Sequence, residues 1–257
     1  MINPISLTEL AGTPNPPGLR EDEIHIWYAY LDEAGFDDMA NCRNLLSMEE
    51  SRRAARFHFP CDRRRFSLSR TLLRLLLSRY TGQSPERLQY LVGTHGKPSL
   101  PGDPLHFNVS GSRDLAAFAF SARQSLGIDV EYRRTVPDAL DIAQQYFTFN
   151  EWQALNATPS PLQTQAFLQC WTRKEAFVKA VGQGLSMPLQ NFEVTLMPGQ
   201  PACLIHIDKN PAEASAWSLF HLEPGRDYVG ALAIKGRGWQ LTTRILGPYS
   251  GPADAHS

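Results

Sequence analysis

The sequence predicts an α+β protein in which one plan, a strand followed by helices and then more strands, occurs twice. Three observations point there. Apolar runs rich in β-branched and aromatic residues recur at strand length. Two long stretches carry helical periodicity and end at glycine. Strands and helices are grouped rather than alternating as βαβ units, which argues against a doubly wound parallel sheet. At 257 residues, 42% hydrophobic and 20% charged, the chain can bury a sizeable core.

Residues 24–31 (IHIWYAYL) read as a buried strand. Ser47 with Glu50 three positions on is a capping-box signature, so a helix begins there and runs to about Phe57, with Pro60 interrupting it. A second helix is expected over 62–80, with Leu73, Leu76 and Leu77 on its apolar side and Gly82 beyond its end. Residues 93–104 are turn-rich. Strands follow at 105–110, 116–121 and 125–132, the first two joined as a hairpin across 111–114. Helices are expected at 137–147, 150–155 and 163–181, with Gly182 and Gly184 ending the last. Strands at 192–197, 203–207, 217–222 and 228–234 complete the second pass. The join falls near Arg123, giving an N-terminal half (1–122), a C-terminal half (123–246) and a Gly/Pro/Ala/Ser tail (247–257) expected to be disordered. No sequence identity between the halves is evident.

The net charge of −1 gives no argument for nucleic acid or membrane as a partner. Locally, Arg52, Arg53, Arg56, Arg63, Arg64, Arg65, Arg70 and Arg74 crowd one stretch. A solvated helix face is the default reading; a small polyphosphate ligand or an acidic protein partner fits better than nucleic acid, which needs exposed aromatics alongside. Cys42, Cys61, Cys170 and Cys203 are scattered without a C-x-x-C pair, so neither zinc nor a disulfide framework is expected. No secretory signal and no bilayer-spanning run is seen, and a cytoplasmic location is expected.

Two segments carry the chemistry. In Gly127-Ile128-Asp129-Val130-Glu131, strand alternation puts Asp129 and Glu131 on one face. In Trp171-Thr172-Arg173-Lys174-Glu175-Ala176-Phe177-Val178-Lys179, helical spacing stacks Glu175 one turn from Lys179. Read singly, the first is most often a solvated strand face and the second a surface ion pair worth about 0.3–0.5 kcal/mol. Read together, three carboxylates and a lysine are the parts of a metal-assisted phosphoryl reaction: magnesium takes oxygen ligands, and lysine meets phosphate. The Gly96-Lys97-Pro98 turn is either punctuation or a nucleotide contact. Asn108 to Ser112 (NVSGS) is either a hairpin end or a phosphate cradle of hydroxyls and N–H groups.

In order and spacing these segments resemble the Sfp-type 4′-phosphopantetheinyl transferases. That family's signature is G-[IV]-D-[IVL]-E followed about forty residues later by W-x-x-K-E-[AS]-x-x-K, here complete as GIDVE and WTRKEAFVK, with GKP, FNVS and GQGLSMPL also in place. The resemblance spans roughly 24–235. It implies a monomeric pseudo-dimer of two similar α+β halves, with coenzyme A in the cleft between them. Phosphopantetheine would pass to a serine of an acyl or peptidyl carrier protein, with release of adenosine 3′,5′-bisphosphate. By position, Asp129, Glu131 and Glu175 correspond to ligands of Mg2+, with Mn2+ as an alternative. Glu175, or a metal-bound water, would take the serine proton, and Lys179 would neutralise the leaving diphosphate. Lys97 and Pro98 correspond to adenine-side contacts, Arg53 and Arg65 to the 3′-phosphate region, and Ser110 and Lys174 to phosphate contacts. Carrier docking would use 133–152, with Arg133, Arg134, Phe147 and Phe149 as candidates, the two phenylalanines equally readable as core. Many relatives have Ser-His-Ser where this chain has Ser110-Gly111-Ser112; Arg113 is the candidate replacement for that histidine. The competing readings are a non-catalytic coenzyme A or carrier-binding module of the same fold, and a nucleic-acid binder using the arginine stretch.

Overall fold

In the computed structural model, which describes residues 18–33, 36, 45–102 and 104–247, the first strand is β1 (Glu23–Tyr30). Ile24, Ile26, Tyr28 and Tyr30 pack on one of its faces, Trp27 and Ala29 on the other. Ser47 and Glu50 form the expected capping box on α1 (Met48–Ala55). Pro60 does not merely interrupt. It opens α2 (Pro60–Thr81), because a first-turn N–H has no intrahelical acceptor to lose. Gly82, at φ 71°, ends that helix. Glu50 also accepts from Arg74 Nε at 2.8 Å, tying α1 to α2 through a buried pair.

The turn-rich stretch holds a short hairpin, β2 (Leu91–Val92) with β3 (Pro98–Ser99). β4 (His106–Ser112) and β5 (Leu115–Ser121) pair with Ser112 opposite Leu115, so the turn is only Arg113 and Asp114. The hairpin is therefore tighter than 111–114, and Ser112 is a strand residue. β6 (Leu126–Tyr132) is followed by α3 (Ala139–Tyr146), α4 (Phe149–Asn156) and α5 (Ser160–Val181). A second capping box, Thr148 with Glu151, starts α4. Beyond lie β7 (Phe192–Val194), β8 (Leu204–Ile207), α6 (Pro211–Ser215), β9 (Trp217–Leu222), β10 (Tyr228–Lys235) and β11 (Gln240–Leu246). The sequence pattern predicted neither α6 nor β11.

The strands form two main sheets, β11-β1-β5-β4 and β6-β10-β9, and the class is α+β as expected. β11 runs parallel to β1, from Glu23 opposite Gln240 to Ala29 opposite Leu246. The end of the proposed C-terminal half thus completes the N-terminal sheet, so a boundary at 246 does not separate the sheets. Pro14, Pro16, Pro17, Cys42 and the tail from 248 on lie outside the described residues.

Three apolar cores organise these layers. One lies between α2 and the first sheet, around Leu72, Leu76, Trp27, Phe118 and Phe120. A second lies between α5 and the second sheet, around Phe167, Phe177, Phe192, Ala231 and Ala233. The third joins sheet to sheet through Ile26, Ala117, Ala119, Ile128, Val130 and Leu232. Burial of Ile128 and Val130 there turns Asp129 and Glu131 to the opposite face, toward α5.

Candidate active site

The two sheets meet edge to edge at β4 and β6, and side chains replace the backbone ladder there. Ile128 N–H donates to Asn108 Oδ1 at 2.9 Å, Val130 N–H to Ser110 Oγ at 3.3 Å and Tyr132 N–H to Ser112 Oγ at 3.1 Å. Each serine hydroxyl donates in turn to the neighbouring carboxylate: Ser110 Oγ to Asp129 Oδ1 at 2.9 Å, Ser112 Oγ to Glu131 Oε2 at 2.8 Å. Alternation along β4 places both hydroxyls on the face that meets β6. The sequence offers this segment as a hairpin end or a phosphate cradle; it is a hairpin strand, and its hydroxyls orient the carboxylates. The contacts of Asn108 and Ser112 with β6 are not evident from the sequence reading, although the i,i+2 spacing of polar side chains on a strand is the available signal.

Gly127 explains how α5 comes so close. A Cβ there would stand 2.1 Å from Ala176 O, 2.4 Å from Ala180 N and 2.8 Å from Lys179 Cβ, so the helix rests on the bare strand backbone. That contact sets Lys179 over the strand. Its Nζ donates to Asp129 Oδ1 at 2.7 Å, Ser110 Oγ at 3.1 Å and Ile128 O at 3.2 Å. Glu175, one turn earlier on the same side, feels both strand carboxylates.

Negative charge is crowded here. Burial raises the Asp129 pKa, against the lowering pull of Lys179 and Ser110. Burial also raises that of Glu131, with Ser112 opposing and the Asp129 carboxylate adding to it. Glu175 is raised by burial first and then by Asp129 and Glu131. Asp129 Oδ2 is buried without a hydrogen-bond partner. An acceptor left open beside three mutually repelling carboxylates fits a small divalent cation. Among the described residues, no three such side chains are gathered tightly enough to hold a metal by themselves. Magnesium does not need an all-protein cage; it usually keeps waters and substrate phosphate oxygens.

Comparison with known proteins bears on what such a site belongs to. The pattern of the 4′-phosphopantetheinyl transferase superfamily matches residues 125–233, and that of the 4′-phosphopantetheinyl transferase N-terminal region matches 34–123. The 4′-phosphopantetheinyl transferase HetI of Nostoc sp. is 38% identical over 236 residues, covering 88% of this chain and 94% of HetI. The chain belongs to the 4′-phosphopantetheinyl transferase superfamily. The 4′-phosphopantetheinyl transferase Sfp of Bacillus subtilis is 35% identical over 175 residues, 67% of this chain and 77% of Sfp. A more distant relative is the L-aminoadipate-semialdehyde dehydrogenase-phosphopantetheinyl transferase of Mus musculus, 28% identical over 162 residues, 58% of this chain and 52% of that protein.

The transferase places its other expected site residues unevenly. Lys174, expected at a phosphate, is fully buried: Nζ is 2.8 Å from Glu151 Oε2 and donates to Leu189 O at 2.8 Å and Phe192 O at 2.7 Å. All three ammonium protons are used inside the C-terminal half, so its role is structural. The reason is helical geometry, since adjacent residues point about 100° apart and only Glu175 faces β6. Glu151, its pKa raised by burial, also accepts from Thr148 N–H and Val194 N–H. Lys174→Met is expected to cost about 3–5 kcal/mol by leaving that carboxylate buried and unpaired, as denaturant unfolding would measure.

Lys97, expected with Pro98 on the adenine side, has its ammonium turned inward, whereas Pro98 stays half-buried in the turn. Ser110 is buried and directed at Asp129 rather than open to a phosphate. Arg65 forms a forked pair with Asp32, Nε lying 3.1 and 3.2 Å from the two carboxylate oxygens. Arg53 lies over the Phe66 ring and lines a surface cavity of ≈ 620 Å³ with Arg52, Arg56, Glu49 and Phe57. Gly111 is exposed on β4. Arg113, the candidate replacement for the family histidine, lies in the β4–β5 turn. Its guanidinium stacks 3.6 Å from the Tyr132 ring centroid, and Tyr132 packs on the sheet-to-sheet face of β6, opposite Glu131. Of the docking candidates, Phe147 is core, stacked on Phe167, whereas Phe149 is 66% exposed.

Proposed function

We propose that this transferase moves the 4′-phosphopantetheine group of coenzyme A onto a serine hydroxyl of an apo acyl or peptidyl carrier protein, in a magnesium-dependent reaction releasing adenosine 3′,5′-bisphosphate. The observation that carries this reading is the meeting of Asp129 with Lys179 beneath Glu175 and Glu131 in a chain of this family. The serine oxygen forms a bond to the phosphorus bearing pantetheine, and the bond from that phosphorus to the bridging diphosphate oxygen breaks. Glu175 takes the serine proton, and its raised pKa suits it to the task. Lys179 already touches three acceptors, but its side chain is 28% exposed, and it acts by its positive charge on the charge that develops on the leaving diphosphate oxygen. Asp129, Glu131 and Glu175 would hold Mg2+, with Mn2+ as a substitute accepting the same oxygen donors. When bound, the metal supplies Lewis-acid stabilisation of the phosphate oxygens.

Coenzyme A is proposed to lie along the seam of β4, β6 and α5, the cleft between two α+β halves (1–122 and 123–246). Pro98 and the Gly96 turn would border the adenine, and Arg53 and Arg65 the 3′-phosphate. The carrier, acidic near its serine, would meet Arg134 and Phe149, both exposed. Among the described residues no helix is long and apolar enough to cross a membrane, and Cys61, Cys170 and Cys203 are free thiols. That the transferase acts as a cytoplasmic monomer, with neither nucleic acid nor membrane as a partner, is part of the same proposal. Incubation with coenzyme A, Mg2+ and a small panel of apo-carriers is expected to add the phosphopantetheine mass to a carrier serine. Absence of any adduct across the panel would overturn the reading.

A further inference from the structure

Lys97 stands between β2 and β3, in a turn readable from the sequence either as punctuation or as a nucleotide contact. Its side chain runs into the protein instead. Nζ donates to Ser125 Oγ at 2.7 Å, Leu126 O at 2.9 Å and Lys179 O at 2.7 Å, and lies 3.4 Å from Ala180 O. An ammonium has three protons, so none is left for a ligand. The acceptors have a pattern. Lys179 O and Ala180 O belong to the last turn of α5, whose carbonyls have no intrahelical donors, and a cation there also suits the helix dipole. Leu126 begins β6 and Ser125 immediately precedes it, and Ser125 Oγ donates onward to Ala180 O at 3.1 Å. Among the described residues no carboxylate partners this lysine, and burial lowers its pKa to about 8.

We infer that Lys97 is a positioning residue: it binds the start of β6 to the end of α5, and so holds Glu175 and Lys179 over Asp129 and Glu131. It acts through the backbone of the catalytic elements, not through contact with the nucleotide. The activity and binding arms of its test rest on the reaction and co-substrate proposed above; the exchange arm does not.

The test is Lys97→Met, which keeps the aliphatic stem and removes the ammonium. Amide exchange over 176–182, followed by mass spectrometry, should quicken relative to wild type. The Kd for coenzyme A with Mg2+, by calorimetry, should stay within about twofold, while kcat at saturating coenzyme A and carrier falls about tenfold to a hundredfold. A tenfold rise in Kd, with kcat restored at saturation, would make Lys97 a nucleotide contact and overturn the proposal. Unchanged exchange and kcat would overturn it too. Ser125→Ala removes one acceptor of the same node and should act in the same direction more weakly. Should Lys97→Met not fold, Ser125→Ala decides, and wild-type exchange and kcat in it would count against the proposal. If the wild-type protein transfers nothing, the function fails while exchange still tests the positioning role.

Discussion

Gly127→Ala is expected to lower transfer at least about a hundredfold and to destabilise the fold by about 1–3 kcal/mol. The added methyl would stand 2.1 Å from Ala176 O and 2.4 Å from Ala180 N, closer than any real Cβ contact. Both are backbone atoms of α5, so no side-chain rotation relieves the overlap. The objection is steric and not conformational, because Gly127 has no left-handed φ. Either α5 lifts from β6 or β6 bends away, and both movements carry Lys179 off Asp129. Transfer assays and denaturant unfolding, with Gly18→Ala as a control at a position with nothing within 4 Å, measure the two effects. Near-wild-type turnover in Gly127→Ala would show that this backbone contact does not set the site.

Glu175→Gln is expected to lower transfer by about 10²–10⁴-fold without loss of stability. Its carboxyl pKa is raised by burial and by the Asp129 and Glu131 carboxylates, so the folded state binds its proton more tightly than the unfolded state does. The destabilisation that follows is absent below the ordinary carboxylate pKa, grows as pH rises through the raised value, and is fully present above it. At pH 8 the variant should therefore unfold no lower than wild type, and up to about 2–4 °C higher for each kcal/mol of repulsion relieved. Near pH 4 the difference should vanish. The same repulsion makes added Mg2+ stabilise wild type more at pH 8 than near pH 4. Calorimetric scans at the two pH values, with and without Mg2+, check both statements. A Mg2+ shift as large in Glu175→Gln as in wild type would remove Glu175 from the metal set.

Much of the site was legible because its direction is local. Alternation in GIDVE turns Asp129 and Glu131 the same way, and the turn from Glu175 to Lys179 stacks the second pair. The misreadings share a cause: nearness in sequence was taken for nearness in the site. Lys174 adjoins Glu175 yet points into the core, where Glu151 answers it. Lys97 sits in an exposed-looking turn, but its stem reaches a helix end more than eighty residues on. Ser112 looked like a turn residue because the hairpin was read two residues too loosely, and on the strand it holds Glu131. β11 carries a weak alternating pattern, and only its parallel pairing with β1 makes it a strand.

By itself the sequence determined the α+β class, the capped helices and the opening pair of motifs, since hydrophobic period, caps and glycine stops act over one or two turns of chain. Which groups meet was decided by the tertiary structure alone. Two elements can each present the right side chains and still stand too far apart to work together. Here their separation depends on a missing Cβ at Gly127, a buried ammonium at Lys97 and a seam of serines between two sheets. Each is a contact between distant segments, whose strength no local pattern records.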